Sequence, residues 1–321
     1  MSIFYVLILA LLPSSSFPQA ACTAERYRIV PIPILPTSVN DMGSVAGSTA
    51  RHKAAVWTKE KNVLELQIPR GFSIAEATGI NRKGDVIGFV TDASSSKRRA
   101  FLYHAGRTFL LAGDQAKAWA INDAAVIAGE AVLRGKPVSA PVLWKASSVR
   151  ALGGCCGGTA LTLNNRGEVA GQVYDPQGNY SAFRWDGKQG LQRLGQGAAY
   201  SSAVTMNDSG HIVVWDQNGH SAYLYADGKP TPLKLSSKYP SRPRAMNDCD
   251  AIVGSYGLFA DVERAFVWDS IHGFRDLNDL VPTDSGWKFE AATGINNRGE
   301  IVGWGDFKHQ DDQGFLLIPE P

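Results

Sequence analysis

Apolar positions along this chain recur in short alternating runs separated by polar turns, the period of half-buried strands and not of amphipathic helices. The clearest stretch is Ala292-Thr293-Gly294-Ile295-Asn296-Asn297-Arg298-Gly299-Glu300-Ile301-Val302-Gly303, and Ala77 to Gly88 repeats it almost residue for residue. Weaker copies surround Asn40, Asn122, Asn164, Asn207 and Asn247, so that successive asparagines are 41, 41, 42, 43, 40 and 49 residues apart. Such a period marks a repeat architecture.

Each unit predicts four strands. The A-x-G-I-N stretch and the following G-x-V-V-G form a hairpin, with the asparagine capping its own turn and a glycine in the left-handed conformation. A third strand follows in Ala100-Phe101-Leu102-Tyr103, Ala182-Phe183-Arg184-Trp185, Ala222-Tyr223-Leu224-Tyr225 and Ala265-Phe266-Val267-Trp268. Alternation puts both aromatic residues of this strand on one face, the core face. The tryptophans Trp57, Trp144, Trp185 and Trp268 are therefore core positions. A fourth strand ends near Leu111, Leu152, Leu194, Leu233 or Leu277.

Four short strands in about 42 residues is the arithmetic of a propeller blade. The fold expected is all-β, a seven-bladed β-propeller of four-stranded antiparallel blades. The seventh unit stops after Gly314-Phe315-Leu316-Leu317 without its fourth strand, while Tyr27-Arg28-Ile29-Val30-Pro31-Ile32 stands unassigned before the first repeat. Pairing the two closes the last blade with an N-terminal strand and removes the sheet edges that invite aggregation. The closed ring is expected to be monomeric.

The apolar run Ile3 to Leu12, then Pro13, serines and Ala20-Ala21, reads as a signal peptide over residues 1–24, with residues 25–321 as the propeller. The run is too short to span a bilayer, and no later segment is long and apolar enough to do so. Gln19-Ala20-Ala21-Cys22 also has the outline of a lipoprotein box, which makes lipid anchorage through Cys22 the alternative to a secreted or periplasmic protein. An exported chain can keep disulfides, and the candidates are Cys155, Cys156 and Cys249. A vicinal bridge within Gly153-Gly154-Cys155-Cys156-Gly157-Gly158 and an ordinary loop disulfide both remain open.

Charge excludes one function class. The chain has a formal net charge of +2 with both signs interspersed, so the basic stripe of a nucleic-acid binder is missing. The cluster Lys97-Arg98-Arg99 reads as a solvated loop tip. No hydrolase elbow, phosphate loop, dinucleotide fingerprint or zinc motif is present, and the six histidines share no repeat position. No cofactor and no metal are expected.

The recurring I-N-x-x-G-x-V-x-G, followed by A-F-x-W and a closing leucine, resembles the bacterial extracellular repeat called the HAF family. The last unit matches best, from Asp276-Leu277-Asn278-Asp279-Leu280 through Ser285-Gly286-Trp287 and Ala292 to Gly303 to Phe315-Leu316-Leu317. The resemblance implies an exported propeller-like protein and carries no catalytic residue. The sequence departs from the pattern where Ala125 and Asp250 replace the turn glycine and where Val214-Trp215 replaces a terminal V-G.

Function is expected where the repeat is broken, because longer insertions on a rigid propeller are where binding usually resides. The connection from Leu277 to Ala292 is long and contains Trp287 and Phe289, and the neighbouring loop carries Asp306, Phe307 and His309. Trp287, Phe307 and His309 are the candidate ligand-binding residues, with packing of Trp287 across the closing blade as the structural reading. The function expected is a non-catalytic binding or interaction module for an unknown protein or glycan. A propeller lyase or hydrolase with its site at the channel mouth and a cell-surface adhesion module are the alternatives.

Overall fold

The computed structural model describes residues 24–94, 96–153, 156–195, 200–218, 220–236, 239–257 and 263–320. They form seven four-stranded antiparallel sheets, six of them simple meanders, arranged as the blades of a propeller. The inner strands of blades 1 to 7 are Leu35–Val39, Ile74–Ile80, Asp114–Ile121, Gly158–Leu163, Ser201–Met206, Ser241–Met246 and Trp287–Ile295. Each touches the inner strands on either side of it, so the seven line a central channel. Blade 7 is closed as the chain ends predicted: Tyr27–Ile32 is its outermost strand, antiparallel to Gln310–Pro319 from Tyr27 opposite Pro319 to Ile32 opposite Gly314. Among the described residues no helix is long and apolar enough to cross a membrane.

The core lies between blades. Phe101, Phe183, Phe266 and Phe315 on the third strands are at most 1% exposed, and burying each such ring contributes roughly 1.5–3 kcal/mol. Trp57, Trp144 and Trp185 are buried beside them and Trp268 is packed against the same layer. The closing leucines Leu111, Leu152, Leu233 and Leu277 are buried too.

Every inner strand carries a β-bulge at the same place, at Thr37, Thr78, Trp119, Leu161, Val204, Arg244 and Thr293, and those of blades 3 and 7 have a second irregularity nearer their start. The bulge drives a backbone carbonyl toward the second strand. At Gly47, Gly88, Gly129, Gly171, Gly254 and Gly303 an added Cβ would stand 1.9–2.2 Å from that oxygen. The terminal glycine of V-x-G is thus set by close backbone approach. In blade 5 it is Val214, not Trp215, that occupies this slot, opposite Ala203.

Two sequence expectations need correction. Arg98 and Arg99 do not belong to a loop tip: they begin the strand Arg98–His104, half-buried, with their guanidinium groups donating to the carbonyls of Gln115 and Leu111. Trp287 and Phe289 are not in a connecting loop either, because the inner strand of blade 7 is extended to nine residues and starts at Trp287. Only the 3-10 turn Leu277–Leu280, capped by Asp276, and a short turn after it remain of the long connection.

Candidate functional site

The repeat asparagine sits at the tip of the hairpin between the first two strands of each blade, at one end of the channel. Its side-chain oxygen accepts the N–H of the residue four positions on, as Asn122 does from Val126 at 3.0 Å. Its side-chain nitrogen crosses to the next blade. Asn40 donates to the carbonyl of Asn81 (2.8 Å), Asn81 to Asn122 (3.2 Å), Asn122 to Asn164 (3.1 Å) and Asn164 to Asn207 (3.2 Å). Asn207 donates to Asn247 (3.3 Å), Asn247 to Asn296 (3.1 Å), and Asn296 back to Asn40 (2.9 Å). All seven are buried. Their polar groups are consumed by the frame, so this ring is structural.

The next residue of each hairpin forms a second ring at the channel mouth: Asp41, Arg82, Asp123, Asn165, Asp208, Asp248 and Asn297. The backbone N–H of Arg82 donates to Asp123, Asp123 to Asn165, Asn165 to Asp208, Asp208 to Asp248, Asp248 to Asn297 and Asn297 to Asp41, at 2.8–2.9 Å. Four carboxylates face one guanidinium here. Asn165 and Asn297 place amide nitrogens between carboxylates, whereas none separates Asp208 from Asp248. Burial pushes the Asp248 carboxyl above its ordinary range, against the hydrogen bond from Asp208, and the Asp208 and Asp41 charges add to the rise. A cavity of about 150 Å³ lies within this mouth.

Further in, the bulge residues meet around a cavity of about 240 Å³. Thr37, Thr78 and Thr293 donate their hydroxyl protons to carbonyls of the next blade, those of Ala77, Ala118 and Pro36, at 2.7–2.9 Å. Trp119 is half-buried, with its indole nitrogen unpaired among the described residues. Its ring lies 6.5 Å from that of Phe89, and the Lys117 ammonium sits over both, 4.5 Å from Phe89 and 5.2 Å from Trp119. Burial first, then the Arg98 charge, lowers the Lys117 pKa.

Arg244 is reached by solvent through the channel yet surrounded by protein, and this desolvation lowers its guanidinium pKa. The nearby carboxylate that opposes the shift, Glu263, is held by Arg242 at 2.8 Å. Arg244 itself has no hydrogen bond or ion pair among the described residues.

The candidates from the sequence lie in blade 7, toward the opposite end of the channel from the asparagines. Trp287 and Phe307 are brought together, directly opposite in register with ring centroids 4.9 Å apart. Trp287 also contacts Phe289 at 5.5 Å and Phe315 at 6.0 Å, so it packs across the closing blade. His309 is exposed at the hairpin tip with φ +66° and makes no hydrogen bond or ring contact with either. Three other histidines pair with aspartates on separate blades: His104 with Asp85 (2.6 Å), His211 with Asp250 (2.9 Å) and His272 with Asp269 (3.0 Å). Among the described residues no group of three or more His, Cys, Asp or Glu side chains is placed to hold a metal ion. Cys249, next to Asp248 on its hairpin, is disulfide-bonded, while Cys155, Cys22 and the leader up to residue 23 lie outside the described residues.

Sequence reasoning missed the channel ring. Its signal was present as the x of A-x-G-I-N, the position at which side-chain size and charge vary most from blade to blade, from Thr37 to Trp119 to Arg244.

No family model and no curated protein matches the chain. Solved structures do, and they are propellers. A catalytically inactive histidine variant of virginiamycin B lyase from Staphylococcus aureus with quinupristin is 12% identical over 92% of this chain and 100% of that one, with a TM-score of 0.59. YCF48 bound to D1 peptide is 11% identical over 92% of this chain and 97% of its own, with a TM-score of 0.58. The β-propeller domain of the trilobed protease from Pyrococcus furiosus is 10% identical over 74% and 82%, with a TM-score of 0.53. At these identities the likeness is one of fold, and function has to be argued from the site.

Proposed function

We propose that this chain is an exported, non-catalytic binding module that takes its ligand in the central channel. The observation that carries the reading is the contrast within one repeat. The alanine, glycine, isoleucine and asparagine positions build the frame, while the bulge position that lines the lumen is Thr, Thr, Trp, Leu, Val, Arg and Thr in turn. A repeated frame whose lumen carries three threonines and four other, unlike side chains is chemically uneven around its axis, which is what recognition of an asymmetric ligand requires. Export is supported by the apolar leader, by the resemblance to HAF repeats and by the disulfide at Cys249.

The test is to purify the protein from its source, release small molecules by denaturation and identify them by mass spectrometry. A single compound, lost from the Trp119→Ala variant, is the expected result. Recovery of the same compound from that variant, or its chemical conversion by the protein, would overturn the reading.

A second reading uses the other end of blade 7. Trp287 and Phe307 form a half-exposed aromatic edge, and with His309 beyond it they would contact a protein or glycan. Loss of partner binding in Trp287→Ala with the channel ligand retained would favour it.

A further inference from the structure

The lumen ring is not random in its order. Three consecutive blades, 3 to 5, supply Trp119, Leu161 and Val204, and the other four supply Arg244 and three threonines. The ring therefore has an apolar arc and a polar arc, and Arg244 stands at their junction. The threonine protons are already donated to backbone carbonyls, and Lys117 is engaged over aromatic faces. Glu263, the carboxylate near Arg244, is bound to Arg242. A guanidinium exposed on the channel cavity and unpaired is a ready partner for a planar anion, because its fork of N–H groups matches a carboxylate bidentately.

Building on the channel-binding reading, we infer that the ligand is a small organic monocarboxylate, its carboxylate held by Arg244 and its apolar body lying against Trp119, Leu161 and Val204. The cavity of about 240 Å³ is below the roughly 300 Å³ at which pockets for drug-sized ligands begin. A phosphate dianion fits poorly, because the lumen offers one unpaired guanidinium and the nearby mouth carries Asp41, Asp123, Asp208 and Asp248 against Arg82 alone.

Isothermal titration calorimetry on the full protein tests this with phenylacetate and 4-methylpentanoate as probes, phenylacetamide as the uncharged isostere, and inorganic phosphate as an anion without an apolar body. Saturable carboxylate binding is expected, with phenylacetamide and phosphate weaker by at least about tenfold. Arg244→Met should abolish the preference for phenylacetate over its amide, and Trp119→Leu should weaken both. Should Arg244→Met fail to fold, Arg244→Lys keeps the charge but loses the fork and should bind phenylacetate more weakly than the parent. Equal binding of phenylacetate and phenylacetamide, a preference for phosphate, or no saturation by either carboxylate below about 10 mM would overturn the inference. A neutral compound that co-purifies and depends on Trp119 but not on Arg244 would also overturn it, while leaving the channel-binding reading intact.

Discussion

The side-chain amide of Asn296 in the last blade donates to the backbone carbonyl of Asn40 in the first, 2.9 Å away, and so joins positions 256 residues apart. That bond completes a circle in which every blade is tied to the next by the same group that caps its own turn. Removing one member should therefore be costly. In Asn122→Ala the N–H groups of Ala124 and Val126 lose their partner and the carbonyl of Asn164 keeps only the N–H of Gly167, for a loss of roughly 3 kcal/mol. Urea unfolding measures it, and a loss below about 0.5 kcal/mol would mean the ring contributes nothing.

Two kinds of glycine should respond differently to alanine. Gly129 faces Lys117 O, with a built Cβ 2.1 Å away and the Trp144 ring at 2.8 Å, so Gly129→Ala should cost more than about 3 kcal/mol through forced backbone movement. Gly84, in open space with φ +85°, should cost only about 1 kcal/mol. The converse holds at Ala125, whose φ of +56° strains a residue with a Cβ: Ala125→Gly should raise the unfolding free energy by about 0.5–1 kcal/mol.

Asp248 predicts a pH effect. Its carboxyl pKa is raised in the folded chain above the ordinary 3.8, so the native state binds the proton more tightly than the unfolded state. The native state then loses stability as pH rises from the ordinary value through the raised one. Asp248→Asn keeps an oxygen to accept from the Asp208 N–H and removes the charge. It should be more stable than the parent at about pH 7 and lose that advantage at about pH 3. Parallel stability curves for the two proteins would show that the carboxylate is not under strain.

Trp287 contacts three phenylalanine rings, and Trp287→Ala should destabilise the protein by about 3–5 kcal/mol. Thermal unfolding of this variant within a degree or two of the parent would return the residue to a purely ligand-binding role.

The frame was legible in the sequence because its repeat period, its alternation and its missing last strand are properties of one chain read in order. What the sequence hid depends on neighbours in space. Turn chemistry explained one side of Asn122, the oxygen that caps its hairpin, but the nitrogen acts across a blade boundary that no single repeat displays. The glycine of V-x-G was visible as a pattern without a cause, since the cause is the carbonyl thrown forward by a bulge on the adjacent strand. Trp119 and Arg244 drew no attention because reading a repeat rewards positions that stay the same. Trp287 drew too much, as a break in the pattern that the fold absorbs by lengthening a strand.

The pairing of Tyr27–Ile32 with Gln310–Pro319 also sets an order of events during synthesis. Translation delivers the outermost strand of blade 7 before the other strands of the propeller and its partner after them. Blades 1 to 6 have all their strands in hand as they emerge, but the first strand made waits for the last one, and until then the circle stays open at one seam. Commitment to the native ring therefore waits until Gln310–Pro319 has emerged, and a chain halted before Gly314 has the strands of six blades and no closure.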